Sequence, residues 1–371
     1  MAGGSCKKRV LFIVPAFSRG AGGAEQVVST ILRHLDRTDL DCHLATIQSG
    51  TEFLNTIPED ITIHQLNVSR MRYALAPVVN LVRRLKPATV LSTVSYTNVL
   101  LLIARPLLPP GTKLIIREAT TPSGFLLHET TSPGLWKFFY RRVYPRADRI
   151  ICLTRSMQRE FHQRFHISQQ KLVQIYNPVD CNFIRKNSGT HANPYSGEDR
   201  NIVAAGRLRR EKGFDILICA FGLVRRQLSG VQLTILGEGP EKSALKDQAS
   251  ELGLSSDVHF AGFQQNPWPY FAHADLFVMP SRLEGMPNAL LEALALDTPV
   301  IATECVESIG ELQKLDSRII TTLPENPEAL AAAMVTALRQ LDSRQAPQST
   351  GEDNLRVLNP AEIASRYKML F

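Results

Sequence analysis

The sequence predicts an α/β protein of two doubly wound domains, and three observations lead to this fold class. Short apolar segments alternate with helical segments along the whole chain. Most of the apolar segments are continuous runs of Val, Ile and Leu, which is typical of parallel strands covered on both faces. A length of 371 residues favours two domains over one. We therefore expect two parallel sheets, each with helices on both sides.

The predicted strands are short and apolar and occur in both halves of the chain. In the first half they are Arg9–Phe17, Cys42–Gln48, Ile61–Leu66, Thr89–Ser95, Lys113–Arg117, Arg149–Leu153 and Leu172–Tyr176. In the second half they are Asn201–Ala205, Val231–Leu236, Val258–Ala261, Leu276–Pro280, Pro299–Ala302 and Arg318–Thr321. The predicted helices between them are Ala24–Leu35, Pro77–Leu85, Trp136–Tyr144, Arg155–Phe165, Phe214–Gln227, Glu241–Leu252 and Pro327–Leu341.

A change in composition predicts the domain boundary. Lys186–Arg200 is rich in Asn, Ser, Gly and Pro and lacks an apolar period, as linkers and surface loops do. We place the first domain at 1–180 and the second at 181–358. The final segment, 359–371, is helical in pattern.

One basic and aromatic segment suggests a partner. The chain has a formal net charge of +7, and Leu135–Arg164 alone holds eight Lys or Arg against two acids. Nucleic acid and an anionic membrane both suit such a segment. Because arginines that snorkel over inserted aromatic rings are a membrane-docking device, we expect peripheral contact with an anionic membrane through Trp136–Arg149 and no nucleic-acid partner. The alternative is a helix that faces the core and has a charged outer side.

The cysteines and the first apolar run indicate the compartment. Six cysteines are scattered without a C-x-x-C pair or a zinc-like spacing, which favours a reducing environment. Val10–Phe17 spans only eight residues, too few for a secretory leader or a membrane span. We expect a cytoplasmic protein that works at the inner face of the cytoplasmic membrane.

The most informative segment is Ser281-Arg-Leu-Glu-Gly-Met-Pro-Asn-Ala-Leu-Leu-Glu292, which follows a predicted strand. Its first residues are turn formers, and Met286–Leu296 is predicted as a helix with Pro287 in its first turn, where a missing N–H costs nothing. The first N–H groups of such a helix form a phosphate site. Two carboxylates, Glu284 and Glu292, bracket this corner.

Three further segments share this half of the chain with the Glu284-to-Glu292 motif. They are Gly206-Arg-Leu-Arg-Arg-Glu-Lys-Gly213, Gly237-Glu-Gly-Pro240 and Thr298-Pro-Val-Ile-Ala-Thr303. In this order and spacing the sequence resembles the retaining glycosyltransferases of family 4. Gly22-Gly-Ala-Glu25 and Tyr176-Asn-Pro-Val-Asp180 add weaker support, and the resemblance spans most of the chain.

The resemblance implies the GT-B fold, with two Rossmann-like domains facing across a cleft and the C-terminal helix crossing back to the first domain. It also implies a nucleoside-diphosphate sugar as donor in the second domain and an acceptor in the first. GT-B enzymes usually work without a metal, so we expect no metal and no cofactor. One departure is Asp297, where the family usually has Gly; Asp tolerates a left-handed turn, so the fold should survive.

The resemblance assigns the catalytic roles to Arg207, Lys212 and Glu284. Sugar transfer leaves an anionic diphosphate. Arg207 would bind it through its planar, forked guanidinium group, and Lys212 through the localised charge of its ammonium group. Glu284 would face the donor sugar or the β-phosphate, and Glu292 would accept hydrogen bonds from both ribose hydroxyls. The alternatives are a solvated basic turn for the cations, a turn residue that favours the helix N-terminus for Glu284, and a helix-surface acid for Glu292.

The remaining donor contacts are expected from glycines, backbone amides and one aromatic ring. Glycines let a backbone approach the nucleotide, and amides at a helix start hold the diphosphate. Phe263 follows a strand near the expected base, with an ordinary core Phe as the alternative. The expected donor-binding residues are Gly22, Gly23, Gly206, Gly237, Gly239, Phe263, Gly285, Met286, Pro287, Asn288, Leu291 and Glu292.

The acceptor side is less well marked. Glu118 follows Arg117 at the carboxyl end of a strand, where ligands of open sheets bind; the alternative is an ion pair between these two residues. His128 is a second candidate for the acceptor side. Asp39-Leu-Asp41 is similar to a metal-binding D-x-D, but it precedes a strand far from the donor motifs, so we interpret it as a solvated turn.

We therefore expect a retaining glycosyltransferase that moves a hexose or N-acetylhexosamine from UDP to a glycan or polyprenyl-linked acceptor in polysaccharide or glycoconjugate biosynthesis. Two alternatives share the scaffold: a sugar-nucleotide 2-epimerase, and a non-catalytic sugar-nucleotide-binding partner of an assembly complex. A dinucleotide oxidoreductase is disfavoured because Gly20-x-Gly-Gly is not a G-x-G-x-x-G fingerprint. A glycosidase, which also uses two carboxylates, is disfavoured by the surrounding phosphate-binding features.

Overall fold

The chain forms two compact units in the computed structural model, which describes residues 7–16, 23–50, 54–189, 192–305, 307–342 and 354–371. One unit runs to Pro178 and also includes Leu358–Phe371, and the other is Val179–Val357. Each unit contains one sheet whose neighbouring strands are parallel. The predicted two-domain α/β fold class is confirmed.

The first unit alternates strands and helices as predicted. Its strands are β1 (Lys8–Val14), β2 (Leu40–Thr46), β3 (Thr62–Gln65), β4 (Thr89–Thr93), β5 (Lys113–Arg117), β6 (Arg149–Cys152) and β7 (Leu172–Gln174). Its helices up to this point are α1 (Gly23–His34), α2 (Leu75–Leu85), α3 (Ser95–Ala104), α4 (Pro122–Gly124), α5 (Pro133–Arg142) and α6 (Arg155–Phe165), with a π-helix at Phe125–Glu129 after α4. The strands lie in the order β3-β2-β1-β4-β5-β6-β7.

The second unit repeats the pattern with a six-stranded sheet. Its strands are β8 (Arg200–Ala205), β9 (Val231–Leu236), β10 (Val258–Gly262), β11 (Leu276–Met279), β12 (Val300–Thr303) and β13 (Ile319–Thr322). Its helices are α7 (Cys181–Ser188), α8 (Phe214–Arg225), α9 (Lys242–Glu251), α10 (Trp268–Ala272), α11 (Asn288–Ala295), α12 (Glu307–Leu315) and α13 (Pro327–Asp342). The strands lie in the order β10-β9-β8-β11-β12-β13.

The last helix, α14 (Pro360–Lys368), belongs to the first unit and packs against α1. Its apolar side, with Ile363 and Tyr367, is buried in the core of that unit. The ring of Phe371 meets Phe12 of β1 edge-on, with centroids 5.6 Å apart. The prediction that the C-terminal helix crosses back to the first domain is therefore confirmed.

The structure corrects the predictions for the linker and for the segment after β4. The start of the predicted linker lies in α7, whose first turn is capped by the Asp180 side chain accepting the N–H of Phe183 at 3.1 Å. The segment that follows Thr93 is not a strand extension but α3, which the sequence analysis missed because that helix is apolar on most of its sides.

Two further properties concern the cysteines and the helices. Cys42, Cys152, Cys181, Cys219 and Cys305 are free thiols, and Cys6 lies outside the described residues. No helix in the described part of the chain is both long enough and apolar enough to cross a bilayer.

Candidate functional site

The sheet order of the second unit indicates where a ligand would bind. From β8 the chain moves outward to β9 and β10, and it then returns to β11 on the other side of β8. Ligands of open α/β sheets bind at the carboxyl ends of the strands at such a switch point. The turns after β8 and β11 meet there, and they hold the Gly206–Gly213 and Ser281–Glu292 motifs.

The two turns are joined by backbone and by one arginine. The N–H of Arg282 donates to the carbonyl of Glu211 at 2.8 Å. Its guanidinium forms two 2.7 Å hydrogen bonds to the Asp215 carboxylate and another 2.7 Å bond to the carbonyl of Arg210. Arg282 also pairs with Glu325. This role of Arg282 was not predicted from the sequence, because its partners lie far away along the chain.

Gly213 allows the turns to approach this closely. Its φ is +67°, a left-handed conformation, and a Cβ at this position would lie 2.1 Å from the carbonyl oxygen of Pro280. Glycine is thus required both by the local backbone and by the neighbouring turn. Gly213 belongs to a motif that the sequence shows, but this contact could not be predicted from the sequence because Pro280 lies far from Gly213 along the chain.

The turn after β9 packs on the turn after β8 in a similar way. A Cβ on Gly237 would lie 1.9 Å from the Gly206 carbonyl oxygen, and one on Gly239 would lie 2.3 Å from the Leu208 carbonyl oxygen. Close packing against neighbouring backbone therefore explains the glycines at these positions. We had predicted instead that Gly237 and Gly239 let the backbone approach the nucleotide. A Cβ on Gly206 would make only ordinary contacts. Nucleotide contact at these three glycines stays a prediction.

Lys212 and Glu284 meet at the junction of the two turns. Lys212 Nζ lies 2.6 Å from Glu284 Oε1, and the Ser281 hydroxyl lies 2.8 Å from the same oxygen. The two side chains are only 22% and 10% exposed. This ion pair holds the lysine ammonium at a fixed place beside the carboxyl end of β8.

Arg207 differs from Lys212 in its surroundings. Its side chain is exposed, and it makes no hydrogen bond or ion pair with any other residue that the structure describes. Its guanidinium is therefore available for an external anion. Arg209 and Arg210 beside it are also exposed.

The helix of the long motif starts later than predicted. It begins at Asn288, and Pro287 is the N-cap residue with φ −79° and ψ 104° rather than a first-turn residue. The N–H of Leu291 already donates to the carbonyl of Pro287 at 3.3 Å. Ala289 and Leu290 precede this bond in the first turn, where amides have no acceptor within the helix, so their N–H groups suit an anion. Gly285 and the side chain of Met286 are buried next to this start.

Glu292 lies one turn further along α11 and has an unforeseen partner. The indole N–H of Trp268 donates to Glu292 Oε2 at 3.0 Å. Burial raises the pKa of Glu292 to about 7, and the hydrogen bond from Trp268 lowers it in part. A carboxyl group with this pKa is held near the midpoint of its titration at neutral pH.

Two other expectations concern the rim of this unit. Phe263 follows β10 with 39% of its side chain exposed, so the alternative of an ordinary core Phe is wrong. Asp297 has a φ of +62°, as expected for an Asp in place of Gly. Its carboxylate accepts hydrogen bonds from Arg318 at 2.8 Å and from Arg185 at 3.1 Å.

The acceptor-side candidates lie in the first unit. The Glu118 carboxylate is buried and accepts hydrogen bonds from Ser95 at 2.7 Å, Asn98 at 2.6 Å and Tyr144. Burial raises the pKa of Glu118 to about 7. All three partners belong to this unit, so the carboxylate is already satisfied without an acceptor.

The ion pair between Arg117 and Glu118 is not formed, so that alternative is wrong. Arg117 instead donates to Thr93 at 3.0 Å and Asn177 at 2.5 Å, because successive side chains of a strand point to opposite faces. His128 is exposed in the π-helix. Gly23 begins α1, and Gly22 lies outside the described residues.

The acidic D-x-D-like segment has protein partners. Asp39 pairs with Lys368 at 2.5 Å, and Asp41 pairs with Arg9 at 2.8 Å. Both carboxylates are thus engaged by cations of the first unit. The absence of a metal at this protein stays a prediction.

The basic helix α5 has two different sides. Trp136, Tyr140 and the following Tyr144 are buried, so these aromatics face the core as the alternative interpretation held. Leu135 and Phe138 point outward with 52% and 55% of their side chains exposed. Lys137, Arg141 and Arg142 are exposed on the same helix.

The chain has two units, each with one parallel sheet, and the second unit places Arg207 and Lys212 at the sheet switch point where α11 begins. These are features of the GT-B glycosyltransferases. A sequence profile of Glycosyltransferase Family 4 matches residues 21–183, and a profile of Glycosyl transferases group 1 matches residues 199–340. Together the two profiles cover most of the chain. This chain belongs to the group 1, family 4 glycosyltransferases.

Named relatives and solved structures agree with this assignment. The chain is 29% identical, over 94% of its length and 95% of the relative's, to the N-acetylgalactosamine-N,N'-diacetylbacillosaminyl-diphospho-undecaprenol 4-alpha-N-acetylgalactosaminyltransferase of Campylobacter jejuni. It is 22% identical, over 84% of its length and 85% of the relative's, to the amylovoran biosynthesis glycosyltransferase AmsD of Erwinia amylovora. Its fold is similar to that of Anabaena HepE in complex with UDP-glucose, with a TM-score of 0.77, 18% identity and coverage of 97% and 98% of the two chains.

The contact at Gly213 leads to a stability prediction. We expect Gly213→Ala to lower the free energy of unfolding by about 3 kcal/mol, because the new methyl group adds a backbone clash to left-handed strain. Gly253→Ala is the matched control: its φ is +72°, but a Cβ there would meet nothing within 4 Å. It should cost only about 1 kcal/mol. Urea unfolding of both variants measures the difference, and equal losses would contradict the role of the Pro280 contact.

Proposed function

We propose that this glycosyltransferase uses a UDP-sugar, transfers a hexose or N-acetylhexosamine with retention of anomeric configuration, and takes a glycan or polyprenyl-diphosphate-linked acceptor. The observation that carries the proposal is the corner of the second unit. There an exposed Arg207, a lysine fixed by Glu284 and the start of α11 occur at one sheet switch point. The names of the Campylobacter relative and of the UDP-glucose complex of HepE support the acceptor and the donor classes.

The chemistry follows from the leaving group. As the glycosidic bond to the diphosphate breaks, negative charge grows on the phosphate oxygens, and positive charges held close to them stabilise the transition state. Arg207 and Lys212 supply those charges, and the amides at the start of α11 add the positive end of the helix dipole. The acceptor hydroxyl oxygen bonds to the anomeric carbon on the face that the phosphate oxygen leaves, and an oxygen of the leaving phosphate takes the hydroxyl proton. Glu284 keeps Lys212 in position through the 2.6 Å ion pair.

The need for an acceptor distinguishes the proposed transferase from the alternative of a 2-epimerase. An epimerase converts a free nucleotide sugar alone, whereas the proposed enzyme releases stoichiometric UDP only when a sugar acceptor is supplied. A panel of UDP-, GDP- and ADP-sugars, assayed for nucleotide release with and without lipid extracts, distinguishes the two. A non-catalytic binding partner would release no UDP under either condition.

We expect Arg207→Ala and Lys212→Met to reduce kcat/KM by about 100- to 1000-fold, because each removes a charge that stabilises the leaving diphosphate. Arg209→Ala is the matched control, since this exposed neighbour has no proposed role. Acceptor-dependent UDP release gives the rates, and thermal unfolding verifies the fold of each variant. Added EDTA should leave the wild-type rate unchanged. A folded Arg207→Ala variant with wild-type turnover would remove the charge-stabilising role.

The raised pKa of Glu292 predicts a pH dependence of UDP binding. Ribose hydroxyls donate to the ionised carboxylate, so UDP favours the ionised form. Since the pKa is about 7, the carboxyl group is mostly protonated at pH 6, and binding must then release that proton. The UDP affinity of the wild type should fall about tenfold from pH 8 to pH 6.

Glu292→Gln separates this effect from the titration of UDP itself. The phosphate of UDP titrates equally in both proteins, whereas the glutamine does not titrate at all. Titration calorimetry at pH 6, 7 and 8 gives the ratio of the two affinities. A ratio that stays constant with pH would mean that Glu292 does not contact the ribose.

We also propose that the first unit docks on an anionic membrane, at the cytoplasmic face, through the outer side of α5. Leu135 and Phe138 provide apolar side chains one turn apart, and Lys137, Arg141 and Arg142 provide charges that complement anionic headgroups. Leu127 of the adjacent π-helix is 75% exposed and extends the apolar surface. Free thiols are consistent with a reducing compartment.

A paired Leu135→Ser and Phe138→Ser substitution should lower the fraction bound to anionic vesicles at low salt about tenfold or more, because two exposed apolar side chains no longer insert. Leu323→Ser in the second unit is the control, since Leu323 is also exposed, at 61%, but lies outside the proposed surface. Vesicle flotation measures binding. Failure of the wild type to float with anionic vesicles would end the membrane proposal without affecting the proposed reaction.

A further inference from the structure

Trp268 is held in place by the turn that precedes it and by α7. Its backbone N–H donates to the Asn266 side chain at 3.2 Å, and the Asn266 amide donates to the carbonyl of Asn187 in α7 at 3.0 Å. The ring of Phe183, also in α7, meets the indole edge-on with centroids 5.5 Å apart. The indole therefore has a defined position at the start of α10.

From this position the indole reaches Glu292. An indole N–H can only donate, so at 3.0 Å it fixes Glu292 Oε2 as an acceptor and leaves Oε1 for another donor. Among the described residues, Trp268 provides the only side-chain hydrogen bond to this carboxylate. The aromatic ring thus sets the rotamer of an acid that we have placed in the nucleotide site.

The surroundings of Glu292 hold little other charge. The elements packed against α11 are the helices α7 and α10 and the strands β11 and β12, and the two strands carry no titratable side chain. On α7, Arg185 pairs with Asp297 at 3.1 Å and Lys186 is exposed to solvent. The remaining titratable groups of these two helices are Cys181 on α7 and Tyr270 on α10. No charged group is among the causes of the raised pKa of Glu292, which are burial and the indole.

We propose that Trp268 is a positioning residue of the donor site, whose indole N–H holds one oxygen of Glu292 so that the other receives the ribose hydroxyls. This inference rests on the proposed function of Glu292. It adds a residue of α10 to the site, and this residue acts through Glu292 and does not itself touch the reacting atoms.

Trp268→Phe tests the inference, because it keeps an aromatic ring against Phe183 and removes the N–H. Without the hydrogen bond the carboxyl group should ionise less readily, so the pH midpoint of UDP binding should rise by about one unit. UDP affinity should then be about fivefold weaker than that of the wild type at pH 7 and within twofold of it at pH 9. Trp136→Phe, the same substitution at a buried residue of the first unit, should leave UDP affinity unchanged at every pH.

The outcomes separate the inference from the function on which it rests. Equal profiles for Trp268→Phe and the wild type would overturn the positioning role, and so would a loss at every pH that persists when the Glu292 carboxylate is removed, since that result reflects packing alone. In a Glu292→Ala background, which removes the acceptor of the indole N–H, Trp268→Phe should have no further effect, because the two residues act as one unit. If Glu292→Gln binds UDP as the wild type does at every pH, then the proposed role of Glu292 fails, and the inference fails with it.

Discussion

The site of the second unit depends on the close contact between the turn after β8 and the turn after β11. The carbonyl oxygen of Pro280 fills the space in which residue 213 would carry a Cβ, so only glycine lets the two turns meet. Arg282 then joins them through Asp215 and the carbonyl of Arg210. Because of this contact, Lys212 and Glu284 lie 2.6 Å apart although 72 positions separate them in the sequence.

The charged side chains of the site differ in their ion pairing and in their burial. Glu284 neutralises and fixes Lys212, whereas Arg207 is exposed and has no ionic partner among the described residues. Glu292 is desolvated enough that its pKa rises to about 7. In the function that we propose, a bound nucleotide diphosphate meets one fixed cation, one adaptable cation and one acid whose ionisation depends on the ligand. Such a site responds to the charge and the hydroxyl groups of its ligand rather than to its size alone.

Much of the fold could be predicted from the sequence because its signals are local. Each predicted strand is present, since continuous runs of Val, Ile and Leu are distinctive for buried parallel strands. The helix α3 was missed because it lies in the interior and carries apolar residues on most sides, so it has no clear helical period. The start of α11 was placed at Met286 rather than Asn288, because proline is compatible with both a first-turn and a capping position.

The sequence by itself determined two parallel α/β units, the identity of the motifs at the strand ends, and the residues able to carry charge there. Only the tertiary structure decided which of these residues meet. In the structure Lys212 pairs with Glu284, and Trp268 pairs with Glu292. Gly237 and Gly239 let one backbone segment pack on another, and Trp136 faces the core. The physical reason is that strand and helix periods are properties of neighbouring residues. Side-chain pairs across a sheet edge depend instead on which strands become adjacent and on how closely their turns pack.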